Sequence, residues 1–316
     1  MMFSTNSPDT LSSVFSPELQ LPRATPTNVA RKWLTEAPPL NDDGRALVIR
    51  RVLRKADGQM WRGGQSAIAL VVASIVMVPA RSAPDKYELY AVRYATLASF
   101  QVSNLVEGAD RARRLDIAMM IWVLKGINGR VAIVDSGFHR ERYFRQFSVT
   151  DYVKPSEAIA PLGIKPEDVT DILLSHMHWD HAGGVDLFPS ARVWVQKDEY
   201  DYYAGEAWQS TATHAGVDPD DVMEIVRRNI AGRVSFIRGD DDTSVSGIMF
   251  GVGGKHTWQS QFVGAQTRSH TVVFASDNMF LYENLTEHKP IAATFDAACD
   301  GLCHSRPERW ALPRPR

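Results

Sequence analysis

The chain has 316 residues, of which 44% are hydrophobic and 23% charged, enough to bury a core in one large domain or two small ones. Its 35 basic and 37 acidic side chains leave a formal net charge of −2, which excludes nucleic-acid binding through bulk charge. Only two cysteines, Cys299 and Cys303, are present, so neither a disulfide scaffold nor a Cys-rich zinc module is available.

Residues 1–59 are rich in Ser, Thr, Pro and Asn and keep no period of 2 or 3.6, which predicts a non-native or disordered upstream extension. From Met60 the pattern changes. A short basic stretch with Arg62 precedes the apolar run Ala67–Val78, and small residues follow around Ala80. That is the layout of a signal peptide over 60–83, with Val78 and Ala80 suiting positions −3 and −1 of the cut. A buried strand of a longer N-terminal domain and a membrane anchor are the alternatives. The run is short for the ~20 residues that span a bilayer, so stable membrane insertion is not expected. The signal reading places the protein in the periplasm or outside the cell; without it the chain is cytoplasmic.

A single folded domain is predicted over 84–297. Tyr87–Tyr94 alternates as a strand, and Ala118–Leu124 is a continuous apolar run closed by a turn at 126–129. Residues 130–137 read as a strand ending in Asp135 and Gly137, and Pro155 opens a helix. Short strands are predicted at 171–175 and 191–195, a helix at 219–231, and strands at 245–252 and 271–276. Strands mixed with helices throughout give an α/β or α+β sandwich.

The chemistry concentrates just after the strand at 171–175. His176, His178, Asp180 and His181 form an H-x-H-x-D-H motif followed by Gly183 and Gly184. In an extended segment His176 and His178 point the same way, and the turn that follows brings Asp180 and His181 to a second point nearby. Imidazoles and carboxylates together suit Zn²⁺, with Fe or Mn as substitutes, and two metal positions are geometrically natural. Further ligands are expected at His256, glycine-flanked after one strand, and at Asp277, which ends another and can bridge two metals. Asp135 is expected to orient a ligand histidine from behind. Tyr200, Tyr202, Tyr203 and Trp208 are candidates for a substrate wall or for plain packing.

These residues resemble the metallo-β-lactamase superfamily from about Lys86 to Ala297, and within it the N-acyl homoserine lactonases. The resemblance rests on the histidine motif and on residues 86–94, 134–138, 187–191, 275–278 and 281–285. It implies a four-layer αβ/βα sandwich. It also implies two zinc ions, with His176, His178 and His256 on the first, Asp180 and His181 on the second, and Asp277 bridging. An activated water would open the lactone ring of a small-molecule substrate, and Asp180 would pass a proton to the leaving oxygen. Other ester, lactone or thioester hydrolysis, or an inactive metal-binding relic, are the alternatives.

Two departures from the family pattern stand out. Phe280 occupies a position where many lactonases carry a Tyr. The resemblance also calls for a final His in a Pro-Gly-His-Asp-like turn, and no such motif follows Asp277. Instead 298–316 form a Pro/Arg-rich tail, with four Arg and three Pro in residues 306–316. A frameshift or truncation near Ala297, removing the C-terminal strand and one ligand of the second metal, is the expectation.

Overall fold

A computed structural model describes residues 85–210, 214–241 and 243–295. The extension 1–59, the segment 60–83 and the tail 298–316 lie outside the described residues. The elements run β1 (Tyr87–Gln101), β2 (Arg114–Gly126), β3 (Val131–Val134), α1 (Glu141–Gln146), β4 (Val149–Thr150), α2 (Pro155–Ala158) and β5 (Asp171–Leu173). They continue with α3 (Trp179–Ala182), β6 (Arg192–Gln196), α4 (Lys197–Tyr203), α5 (Pro219–Ile230) and β7 (Val234–Ile237). β8 (Ile248–Val252), β9 (Gln261–Gln266), β10 (Thr271–Phe274) and α6 (Tyr282–Thr286) complete the order.

Seven strands form one sheet in the order β4-β1-β2-β3-β5-β6-β7, and three form a second in the order β10-β9-β8. The first sheet is antiparallel from β4 to β3 and parallel from β3 to β7. Strand alternation splits the interior into two cores. Ile121, Val123, Ile133 and Ile172 face one side, where they meet Tyr143, Tyr203, Val222 and Ile225 of the helices. Their neighbours Leu124, Val134 and Leu173 face the other side and meet Phe250, Val263 and Phe274 of the small sheet. Strands buried on both faces explain why the middle of β2, β3 and β5 read as unbroken apolar runs.

Several boundaries differ from the sequence expectation. The first strand extends to Gln101, because its second half pairs with β2 down to Arg114. The helix at Pro155 is a single turn, and the helix predicted over 219–231 starts at Pro219 as expected, capped by the Asp218 side chain through the Asp220 N–H, and ends one residue earlier at Ile230. Strands β7 and β9 and helices α1 and α4 had no sequence prediction. Among the described residues no helix is long and apolar enough to cross a membrane.

Candidate metal centre

The chain leaves β5 at Leu173 still extended: the Leu174 N–H donates to Trp194 O at 2.9 Å. Side-chain alternation therefore sends Met177 into the helix-side core, 1% exposed, while His176 and His178 turn the other way. His178 then serves as N-cap of the single-turn helix α3, which carries Asp180 and His181 round to the same region. Trp179 fixes that turn by stacking on Tyr143 at 4.0 Å and on Phe147 at 5.0 Å. His256 arrives from the loop after β8, and Asp277 from the 3₁₀ turn after β10.

Two donor sets result. In the first, His178 Nδ1 lies 3.1 Å from His176 Nε2 and 2.9 Å from His256 Nε2. Asp277 Oδ2 lies 3.3 Å from His256 Nε2 and 3.9 Å from His176 Nε2. One atom from each of these four residues falls within 4.8 Å of all the others. A tetrahedral zinc bound at the usual Zn–N length spaces its donors by about 3.3 Å, so the set has the size of a metal shell. In the second, His181 Nε2 lies 3.5 Å from Asp180 Oδ2 and 3.4 Å from Asp277 Oδ1. Asp277 thus turns one oxygen toward each set. His181 Nε2 is buried and has no hydrogen-bond partner among the described residues. An orphaned buried nitrogen is costly, and a cation held with the two facing carboxylates would satisfy it.

The opposite nitrogens of His176, His181 and His256 are held. The His181 Nδ1–H donates to Asp135 Oδ2 at 2.8 Å, and Asp135 also accepts from the Ser175 N–H at 2.7 Å and Oγ–H at 2.9 Å. Asp135 adopts a positive φ of 60°, which turns its carboxylate out of β3 toward these donors. The His256 Nδ1–H donates to Ala293 O at 2.6 Å, and His176 Nδ1 meets Ser175 Oγ at 3.0 Å. His178 also has a hydrogen bond to the backbone at Ala215. Gly216 beside it has φ +79°, and a Cβ there would come within 3.0 Å of the imidazole, so glycine both makes this turn and lets the ring lie against it.

Charge follows from this packing. Burial, reinforced by the neighbouring imidazoles, holds His176 and His178 well below the usual histidine range, so both are neutral with a free lone pair. Burial opposes a charge on His181, but Asp180, Asp277 and Asp135 outweigh it and raise His181 well above that range. Asp277 is pulled down by His181 and His256 in spite of its burial. The Asp180 carboxyl is pushed up to about 6 by burial, against the pull of His181 and with the help of the Asp277 charge. Positive charge is therefore favoured between the carboxylates, where a divalent ion would replace the proton on His181.

The seven residues predicted for the site, His176, His178, Asp180, His181, His256, Asp277 and Asp135, are all brought together here. His288 is exposed on the surface and does not join them, and His304 lies outside the described residues. Among the suggested wall aromatics, Tyr203 is core and Tyr202 stacks on Trp258 at 4.1 Å. A cavity of about 30 Å³ borders Asp180, His181 and Asp277 and is lined by Tyr94, Met119 and Trp122 among others. Ser175, Asn278 and Glu199, all buried, escaped the sequence reading because nothing in their local pattern marks them. Asn278 Oδ1 accepts from the Gly254 N–H and from Ser260 Oγ, each at 2.8 Å, which ties the Asp277 turn to the His256 loop.

Comparison with known proteins identifies the family and the fold. Residues 118–297 match the model of the metallo-beta-lactamase superfamily. N-acyl homoserine lactonase AiiB of Agrobacterium fabrum is 31% identical over 101 residues, which cover 28% of this chain and 36% of the relative. The chain thus aligns with about a third of that relative's length. An N-acyl homoserine lactonase of a Bacillus species is 27% identical over 197 residues, 58% of this chain and 72% of that protein. The fold matches a crystal structure of a quorum-quenching N-acyl homoserine lactone lactonase with a TM-score of 0.60 at 20% identity, covering 72% of this chain and 88% of the other. It also matches the dizinc quorum-quenching lactonase AidC at a TM-score of 0.52 and 14% identity, covering 70% and 85%. The family match spans more than half the chain and includes every predicted donor, so this chain belongs to the metallo-β-lactamase superfamily, and its relatives and structural neighbours there include N-acyl homoserine lactonases.

Proposed function

We propose that this protein is a zinc-dependent hydrolase that opens the lactone ring of N-acyl homoserine lactones and so degrades quorum signals. The observation that carries the reading is Asp277, one carboxylate offering its two oxygens to two separate imidazole sets. The lactonase relatives supply the substrate class. His176, His178 and His256 with Asp277 Oδ2 would hold the first ion, and Asp180, His181 and Asp277 Oδ1 the second, with Fe or Mn as substitutes. When bound, such ions polarise a carbonyl and lower the pKa of water so that hydroxide is available near neutral pH.

The chain's own residues do the rest. Asp135 and the Ala293 carbonyl lock two rings with Nε2 presented to the site. Asp180, beside His181 and Asp277, is placed to take the proton of the attacking water and return it to the leaving oxygen of the opened ring. Phe280 is buried edge-on to His256, 5.4 Å between centroids, and offers no hydroxyl to a substrate carbonyl. That favours, as a second reading, another ester, lactone or thioester with weaker demands on that hydrogen bond. The segment 60–83 supports a periplasmic or secreted location.

The test is ring opening of N-hexanoyl homoserine lactone by the purified chain, followed by chromatography, with metal content measured in parallel. Turnover that stops with chelator and returns with zinc is expected. Bound metal without ring opening, but with hydrolysis of simple esters or thioesters, transfers the assignment to the second reading. Absence of any hydrolysis marks an inactive relic.

A further inference from the structure

Several buried charges outside the donor sets have no role in the chemistry above, and Glu199 is one of them. Glu199 stands in the first turn of α4 and is 0% exposed. No Lys or Arg pairs with it among the described residues. A buried carboxylate without a cationic partner costs several kcal/mol unless backbone donors satisfy it. Its two oxygens go to two different segments. Oε1 accepts the Met177 N–H at 3.0 Å, between His176 and His178. Oε2 accepts the Gln259 N–H at 2.6 Å, three residues after His256. These segments are 82 residues apart in the chain; one follows β5 of the large sheet and the other precedes β9 of the small one.

A second polar stitch runs beside the first. The Gln261 N–H donates to Ser175 O at 2.8 Å, and Gln261 Nε2 donates to Leu174 O at 2.7 Å. Gln261 Oε1 in turn accepts from Gln196 Nε2 at 2.9 Å, at the end of β6 just before α4. That stitch fixes the sheets at the base of the ligand segments. Glu199 acts further out, level with the histidines themselves.

We propose that Glu199 is a positioning residue whose two carboxylate oxygens clamp the His176–His178 segment to the His256 loop and set the spacing of the first metal shell. This rests on the metal-binding reading above. Without the clamp, His176 and His178 can separate from His256, and the 2.9 Å approach of His178 Nδ1 to His256 Nε2 is no longer enforced. The carboxylate is required because it is the one side chain that presents two acceptors and no donor.

The test uses the full chain with Co²⁺ as the probe. In Glu199→Gln, one arm presents an N–H₂ group to a backbone N–H, so one segment is released. The dissociation constant of the tighter Co²⁺, from competition with a chromophoric chelator, should rise at least about tenfold, and the visible cobalt bands should shift or broaden. Glu199→Asp keeps both oxygens on a shorter stem and should change both readouts in the same direction by less. It decides the matter if the Gln variant does not fold. Ile225→Val, a core change in α5, should lower stability and leave cobalt affinity and spectrum at wild-type values. Wild-type cobalt affinity and spectrum in a folded Glu199 variant overturn the clamp alone. A wild-type chain that binds no Co²⁺ or Zn²⁺ overturns the metal-binding reading and the clamp with it.

Discussion

Replacing Gly184 by alanine tests how tightly the motif is built. Gly184 sits two residues after α3 with φ −113° and ψ 8°, a conformation open to alanine, so no backbone strain is introduced. The obstacle is space. A Cβ at this position would lie 2.1 Å from the carbonyl oxygen of Ser136, against about 3.4 Å for ordinary contact. Backbone would have to retreat from backbone by about 1.3 Å, and no flexible side chain can absorb the shift. The same approach carries three hydrogen bonds: Ser136 N–H to His181 O at 2.8 Å, Ser136 Oγ–H to His181 O at 2.7 Å, and Gly184 N–H to Ser136 Oγ at 3.2 Å. Overpacking of a dense interior costs about 1–3 kcal/mol. Each strained or lost hydrogen bond adds roughly 1 kcal/mol. Gly184→Ala should therefore lose about 3–5 kcal/mol in urea unfolding. Ser136 follows Asp135, so the separation also pulls Asp135 from His181, and the variant should bind less than its full complement of metal. A loss under about 1 kcal/mol with full metal content would refute this account of the H-A-G-G turn.

Other consequences can be checked separately. His178→Ala removes the nitrogen that lies closest to two others in the first set, and metal analysis should show about one ion fewer per chain with most activity gone; full occupancy would contradict the assignment. Asp221, buried under α1, has its carboxyl pushed up to about 7 by burial in spite of the Arg140 guanidinium 2.6 Å away. A folded-state pKa above the unfolded value near ~3.9 means its stabilisation is full below about pH 4 and is lost as pH rises through about 7, by up to ~4 kcal/mol. The metal-free wild type should thus lose thermal stability between pH 5 and pH 8 relative to Asp221→Asn, and parallel pH profiles for the two would discount the effect.

The candidate donor cluster was legible in the sequence because its geometry is local. A strand that ends in H-x-H-x-D-H must place two imidazoles on one side, and a turn must follow for Asp180 and His181 to come round. His256 and Asp277 were readable for the same reason, each following an apolar strand directly. Double burial made the centres of β2, β3 and β5 visible, whereas β9, with Gln261 and Gly264 interrupting its apolar residues, carried no such signal. Tertiary structure alone decided how the donors are held. Which ring nitrogen of His181 and His256 faces the site depends on Asp135 and Ala293 O, both distant in the chain from the rings they hold. Glu199 looks like any acid in the first turn of a helix until the two sheets close over it. Local spacing specifies the donors, while the distances between them are set by packing between segments that meet only when the chain folds.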